Sequence, residues 1–139
     1  MKILVINGVN LNMLGVRDPE IYGRETLQDL EDKIKAKAYE LGVTVDCFQS
    51  NFEGEIVEKI HKAYGVYDGI IINPGAFTHY SYAIHDAIET VNIPTIEVHI
   101  SDIHSREEFR HHSVILPACK EQISGLGFEG YMIAMEKLL

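Results

Sequence analysis

Short β-rich apolar runs alternate with stretches of helical periodicity along this chain, and few folds accept that pattern. Lys2–Asn7 reads as a strand. Thr26–Leu41 reads as a helix with Leu27, Leu30, Ile34, Ala38 and Leu41 on one stripe, Thr26 and Asp29 as a capping box and Gly42 as its stop. Val43–Gln49 is a second strand. Ser50 and Glu53 form a second capping box, opening a helix through Tyr64 with Ile56, Val57, Ile60 and Ala63 inward. Gly69–Asn73 is apolar nearly throughout, as a strand buried on both faces should be. Thr78–Val91 is a helix burying Ala83, Ile84, Ala87, Ile88 and Val91, and Thr95–His99 is a fourth strand. Residues 100–117 read as loop with a helical turn near Glu107–Phe109, Ala118–Ser124 as a weaker fifth strand, and Phe128–Leu138 as a closing helix.

Such alternation implies a parallel sheet with right-handed crossovers and helices on both faces. Five strands in 139 residues suit a flavodoxin-like α/β three-layer sandwich of order 2-1-3-4-5, with residues 1–139 as one domain. Hydrophobic residues make up 46%, enough for a core, and no apolar run is long enough to span a bilayer.

A net charge of −9 argues against nucleic acid or an anionic membrane as partner. Cys47 and Cys119 are the only cysteines, so no disulfide framework is expected and a cytoplasmic setting is the natural reading. The arginines are Arg17, Arg24, Arg106 and Arg110, two pairs in stretches that read as loop. They are either solvated side chains or, since bidentate anion binding favours arginine, the cationic part of a site for a small anion.

In open α/β sheets ligands sit beyond the carboxyl ends of the strands, at the switch point between strands 1 and 3. That rim collects Asn10, Asn73, His79, His99 and Ser101, each ordinary alone and informative together. Gly125-Leu126-Gly127-Phe128-Glu129-Gly130 fits G-x-G-x-x-G, but no further strand follows to carry the acidic residue of a dinucleotide site. It reads as a tight turn with close helix–sheet packing. His99, His104, His111 and His112 lack the close spacing of a metal motif, so no metal is expected, and the last three read as solvated or structural.

Taken together these residues resemble the type II 3-dehydroquinate dehydratases. Asn7-Gly8-Val9-Asn10-Leu11, Leu14-Gly15, Arg17 and Tyr22-Gly23 are similar to that family's opening motif. Gln49-Ser50-Asn51 with Glu53-Gly54, Asn73-Pro74-Gly75-Ala76 with Thr78-His79 and Asp86-Ala87, Glu97-Val98-His99-Ile100-Ser101, Arg106-Glu107-Glu108-Phe109-Arg110 with Ser113, and Gly125-Leu126-Gly127 with Gly130-Tyr131 follow in the family's order. Three positions depart from it: Val9 stands for a usual Pro, Phe77 for a usual Tyr, and His85 for a usual Arg or Lys.

The resemblance implies a cofactor-free lyase converting 3-dehydroquinate to 3-dehydroshikimate by anti elimination through an enolate. It implies Tyr22 as base with Arg17 favouring its ionised form, His99 as general acid oriented by Glu97, and Asn10 holding an enolate-stabilising water. Asn73, His79 and Arg110 would hold substrate hydroxyls, Ile100 and Ser101 the carboxylate, and Arg106 would add positive field. Trimers packed into a dodecamer are implied too, with Asp86 reaching a neighbour's site. A flavodoxin-like binding module and a metal-dependent hydrolase are the rival readings; the first would need a phosphate loop or acidic cluster that Asn7–Asn10 does not supply.

Overall fold

The computed structural model describes residues 1–16 and 18–139. Its five strands, β1 (Lys2–Asn7), β2 (Thr44–Gln49), β3 (Gly69–Asn73), β4 (Thr95–His99) and β5 (Glu121–Ser124), form one parallel sheet of order β2-β1-β3-β4-β5. The helices are α1 (Pro19–Tyr22), α2 (Leu27–Leu41), α3 (Glu53–Ala63), α4 (Tyr82–Val91) and α5 (Glu129–Leu138). α2 and α5 share a core with Ile3, Val5, Ile71, Ile96 and Val98 on one face of the sheet. α3 and α4 share another with Leu4, Ile6, Ile70 and Ile72 on the opposite face. Strand side chains alternate, so a sheet covered on both faces needs continuous apolar runs, and β3 and β4 are buried at every residue.

The Thr26–Asp29 capping box forms, and Gly42 ends α2 in the left-handed conformation. The Ser50–Glu53 box does not form. Ser50 Oγ instead donates to Glu55 and accepts from the Phe52 N–H, while Glu53 accepts from Ser81 Oγ at 2.5 Å. The third crossover helix also begins later than its periodicity suggests. Residues Gly75–His79 form a 3-10 turn, and Ser81, accepting from the Ile84 N–H, caps α4. Ala83, expected inward, lies in the first turn of α4 and is exposed, while Ile84, Ala87, Ile88 and Val91 are buried. β5 is shorter than expected because Leu116–Ala118 is a 3-10 turn. α1 lies inside a stretch read as loop, although Pro19 at its first turn and Gly23 (φ 80°) at its end are start and stop signals.

Among the described residues no helix is long and apolar enough to cross a membrane. Both cysteines are free, and burial pushes the Cys47 thiol up to about 11 and that of Cys119 up to about 12.

Candidate active site

The exits of β1 and β3 approach so closely that side chains are excluded. A Cβ on Gly8 would lie 2.4 Å from Pro74 O, and Gly75, at φ 64°, would bring one to 2.6 Å from Val9 O. Above this junction lies a cleft enclosing about 420 Å³ of empty space, its open mouth included. Tyr22, Asn73, His79, His99, Ile100, Ser101, Arg106 and Arg110 all line it, with Leu11, Gly75, Ala76 and Ile103 completing the wall.

β4 supplies a carboxylate–histidine pair. Glu97 and His99 sit two residues apart on one face of the strand, toward α3 and α4, and His99 Nε2 hydrogen-bonds Glu97 Oε2. Glu97 is 0% exposed, a position that a carboxylate tolerates only with partners. Thr78 Oγ1 donates to it at 2.8 Å, Ser113 Oγ at 2.8 Å and Gln122 Nε2 at 3.0 Å. Burial works to raise its carboxyl; the bond and charge of His99 and the hydroxyls of Thr78 and Ser113 outweigh it and hold the group below its ordinary range. Glu97 is thus an anion behind His99, and only His99 of the two lines the cleft.

His79 is a neutral counterpart. Its Nδ1 donates to the His112 carbonyl at 2.8 Å. Desolvation, reinforced by the charges of His99 and Arg110, holds it below the usual imidazole range against that bond and Glu97. Neutral, with its proton on Nδ1, it keeps Nε2 as an acceptor.

Tyr22 comes from α1 and packs against the α2–α5 core. Arg106 Nη1 donates to its hydroxyl at 2.8 Å and to Ser101 Oγ at 3.4 Å, with the guanidinium carbon 5.7 Å from the ring centre. Arg106 therefore does more than add field: it holds Tyr22 directly. Arg17, expected beside Tyr22, lies outside the described residues. Arg110 Nε donates to Glu107 at 2.7 Å, which anchors its position on the cleft wall.

Besides Glu97, which stands behind His99, two more expected residues are not in this wall. Asn10 is exposed in the left-handed conformation (φ 69°), its N–H donating to Asn51 Oδ1 at 2.9 Å. Asp86 is exposed on α4, where its carbonyl accepts from Thr90 Oγ1 at 2.7 Å. Sequence reasoning does not single out Thr78, Ser113 and Gln122 as the support of Glu97. The available signal for Gln122 is its pairing position, opposite Glu97 in the β4–β5 ladder.

The glycine-rich stretch serves the site from outside. Gly125 N–H donates to His99 O at 3.2 Å and Gly127 N–H to Ile100 O at 3.0 Å, while a Cβ on Gly130 would press within 3.2 Å of Val98 Cγ1. It is a close-packed turn tying the end of β4 to α5. Of the other histidines, His111 Nε2 bonds Arg106 O at 2.8 Å, and its ring lies 5.9 Å from that of His104. His85, Asp86 and Glu89 place ligand-type atoms within 4.8 Å of one another, but His85 Nδ1 is committed to Val114 O and Nε2 to Glu89.

A doubly wound sheet whose switch-point cleft joins a buried carboxylate–histidine pair, a phenol held by one arginine and a second arginine defines a flavodoxin-like α/β protein with the groups that proton transfer on a small anion calls for. The dehydroquinase class II family model matches residues 1–139, and the chain belongs to that family of enzymes. A 3-dehydroquinate dehydratase of Caldicellulosiruptor bescii is 64% identical over 138 residues, covering 99% of this chain and 95% of that relative. One from Clostridium perfringens is 62% identical over 139 residues, covering 99% and 96%. The type II dehydroquinase of Butyrivibrio crossotus superposes with a TM-score of 0.98 at 54% identity, covering 99% of this chain and 97% of that one. That of Propionibacterium acnes superposes at 0.96 with 44% identity, covering 99% and 94%.

Proposed function

We propose that this chain is a 3-dehydroquinate dehydratase of the shikimate pathway, eliminating water in the anti sense through an enolate. The observation that carries the reading is the convergence of Tyr22, held by Arg106, with the His99–Glu97 pair on one cleft. A proton alpha to a ketone leaves only if a base takes it and the developing oxyanion is stabilised. Tyr22, as phenolate, takes that proton. The electron pair moves into the enolate, whose oxygen is held through a water by Asn10. The enolate then collapses back to ketone, forming the ring double bond and breaking the bond to the β-hydroxyl. His99 protonates that oxygen as it leaves, so one water departs and the product is a conjugated enone. Return of the proton from Tyr22 to solvent and reprotonation of His99 close the cycle.

Arg106 is the described cation that neutralises charge on the Tyr22 oxygen, and Arg17, carried over from the family pattern, adds a second. Glu97 orients the His99 ring through their hydrogen bond. Asn73, neutral His79 and Arg110 take the substrate's hydroxyls. The carboxylate sits against Ile100 and Ser101, where strand-end N–H groups and a hydroxyl favour an anion. Trimers assembled into a dodecamer would let the exposed Asp86 complete a neighbour's site. Free, half-buried thiols support a cytoplasmic setting. Tyr22→Phe keeps the ring and removes the base; kcat should fall at least roughly a thousandfold, within the loss expected for one general base, with the product's binding constant little changed. Turnover within about tenfold of wild type would reject Tyr22 as base.

A further inference from the structure

Tyr131 is fully buried in α5 beneath the ends of β1 and β3. Those strands pair in register there, Asn7 opposite Asn73, and both asparagines follow the apolar residues that face α2 and α5. The Tyr131 hydroxyl donates to Asn7 Oδ1 at 2.6 Å and accepts from Asn73 Nδ2 at 2.9 Å. At the other end of the same amide, Asn73 Oδ1 accepts from the Gly75 N–H at 3.1 Å. A carboxamide has two N–H donors and two acceptor lone pairs. Here the Tyr131 bond fixes the nitrogen and the Gly75 bond fixes the oxygen, so the amide has one orientation with one N–H and one lone pair to spare. Asn73 lines the cleft. A hydroxyl, with one O–H and two lone pairs, answers a neighbouring donor and acceptor at once.

Stability alone would not select this trio. Among the described residues Asn7 Nδ2 is a buried side-chain atom with no hydrogen-bond partner, and replacing both partners of a buried polar contact by apolar groups is often neutral or stabilising. Burial also drives the Tyr131 hydroxyl far above the ordinary phenol range, so it is a neutral, permanent donor.

We propose that Tyr131 is a positioning residue: its hydroxyl, anchored on Asn7, sets the Asn73 carboxamide to receive a ring hydroxyl of the substrate. This rests on the reading of the cleft as the 3-dehydroquinate site. Tyr131→Phe keeps the ring and removes the anchor. KM should rise about tenfold, the scale of one hydrogen bond lost from binding, with kcat held within about threefold. In an Asn73→Ala background the same change should have no further effect on KM, because Tyr131 acts through Asn73. A purely structural tyrosine would lower the melting temperature and leave KM unmoved, or would cost the same in both backgrounds; either result overturns the proposal. Should Tyr131→Phe fail to fold, Asn7→Leu removes the anchor and keeps the tyrosine. It should raise KM in the same direction and only with Asn73 present, and an unchanged KM would overturn the proposal equally. Wild-type protein inactive on 3-dehydroquinate would defeat the underlying reading, whereas active wild type with an unmoved Tyr131→Phe KM would defeat this inference alone.

Discussion

Replacing Glu97 by Gln removes one charge and almost no volume from a position with no solvent access. The carboxylate now accepts from four donors, Thr78, His99, Ser113 and Gln122. Glutamine offers one acceptor oxygen and an NH₂ that must face groups which are themselves donors. The hydroxyls of Thr78 and Ser113 can rotate to accept, and neutral His99 can accept at Nε2, but every bond drops from charge-assisted to neutral. With charged bonds contributing about 1.5–3 kcal/mol and neutral ones about 0.5–1.5, the four bonds together weaken by about 4–6 kcal/mol, and relief of the buried charge's desolvation brings the net loss to about 2–4 kcal/mol. For a domain of this size that lowers Tm by about 6–15 °C. His99, without its counter-charge, should lose roughly 10²–10³-fold in kcat. The pH dependence follows from the sign of the shift. The Glu97 carboxyl is held below its ordinary value of 4.5, so its stabilisation is complete above that pH and disappears as pH falls through the lower folded value. The stability gap between wild type and Glu97→Gln should therefore narrow as pH falls below the ordinary carboxylate range. Thermal melts from pH ~7 downward, with steady-state assays near neutrality, test this. A variant melting within about 2 °C of wild type and turning over within about threefold would refute the view of Glu97 as a caged anion serving His99.

Arg106→Lys keeps the charge but not the planar reach to both the Tyr22 hydroxyl and Ser101; kcat/KM should fall roughly ten- to a hundredfold, and a loss under about twofold would show that the contact does not matter to turnover. If Asp86 completes a neighbour's site, Tyr22→Phe and Asp86→Ala subunits should each be impaired, and activity should rise above both parents after dissociation, mixing and reassembly. A monomer by ultracentrifugation, or no rescue from oligomers proven to be mixed, would defeat the shared site.

The sheet is legible in the sequence because its signals are local. In β3, Gly69 is followed by Ile70, Ile71 and Ile72, a run whose alternating side chains need an apolar cover on both faces. The rim residues are legible for a related reason, since strand ends and the switch point follow from strand order. What escapes are choices between competing partners. Ser50 has Glu53 three residues on, as a capping box requires, yet takes Glu55 because Glu53 is engaged by Ser81 at the start of α4. Thr78 looks like a helix start, but its hydroxyl is committed to Glu97, and capping passes to Ser81. The hold on Tyr22 comes from Arg106, 84 positions away, and Tyr131 reaches Asn7 across 124. No local pattern encodes such contacts; they exist only once β1, β3 and β4 stand side by side.

The most direct measurement adds 3-dehydroquinate to the purified protein and follows the ultraviolet absorbance of the conjugated enone, in parallel with Tyr22→Phe and His99→Ala. The account predicts a steady rise with wild type that ends at 3-dehydroshikimate by mass, and almost none with either variant. No enone from folded wild-type protein, or wild-type rates from both variants, would contradict it.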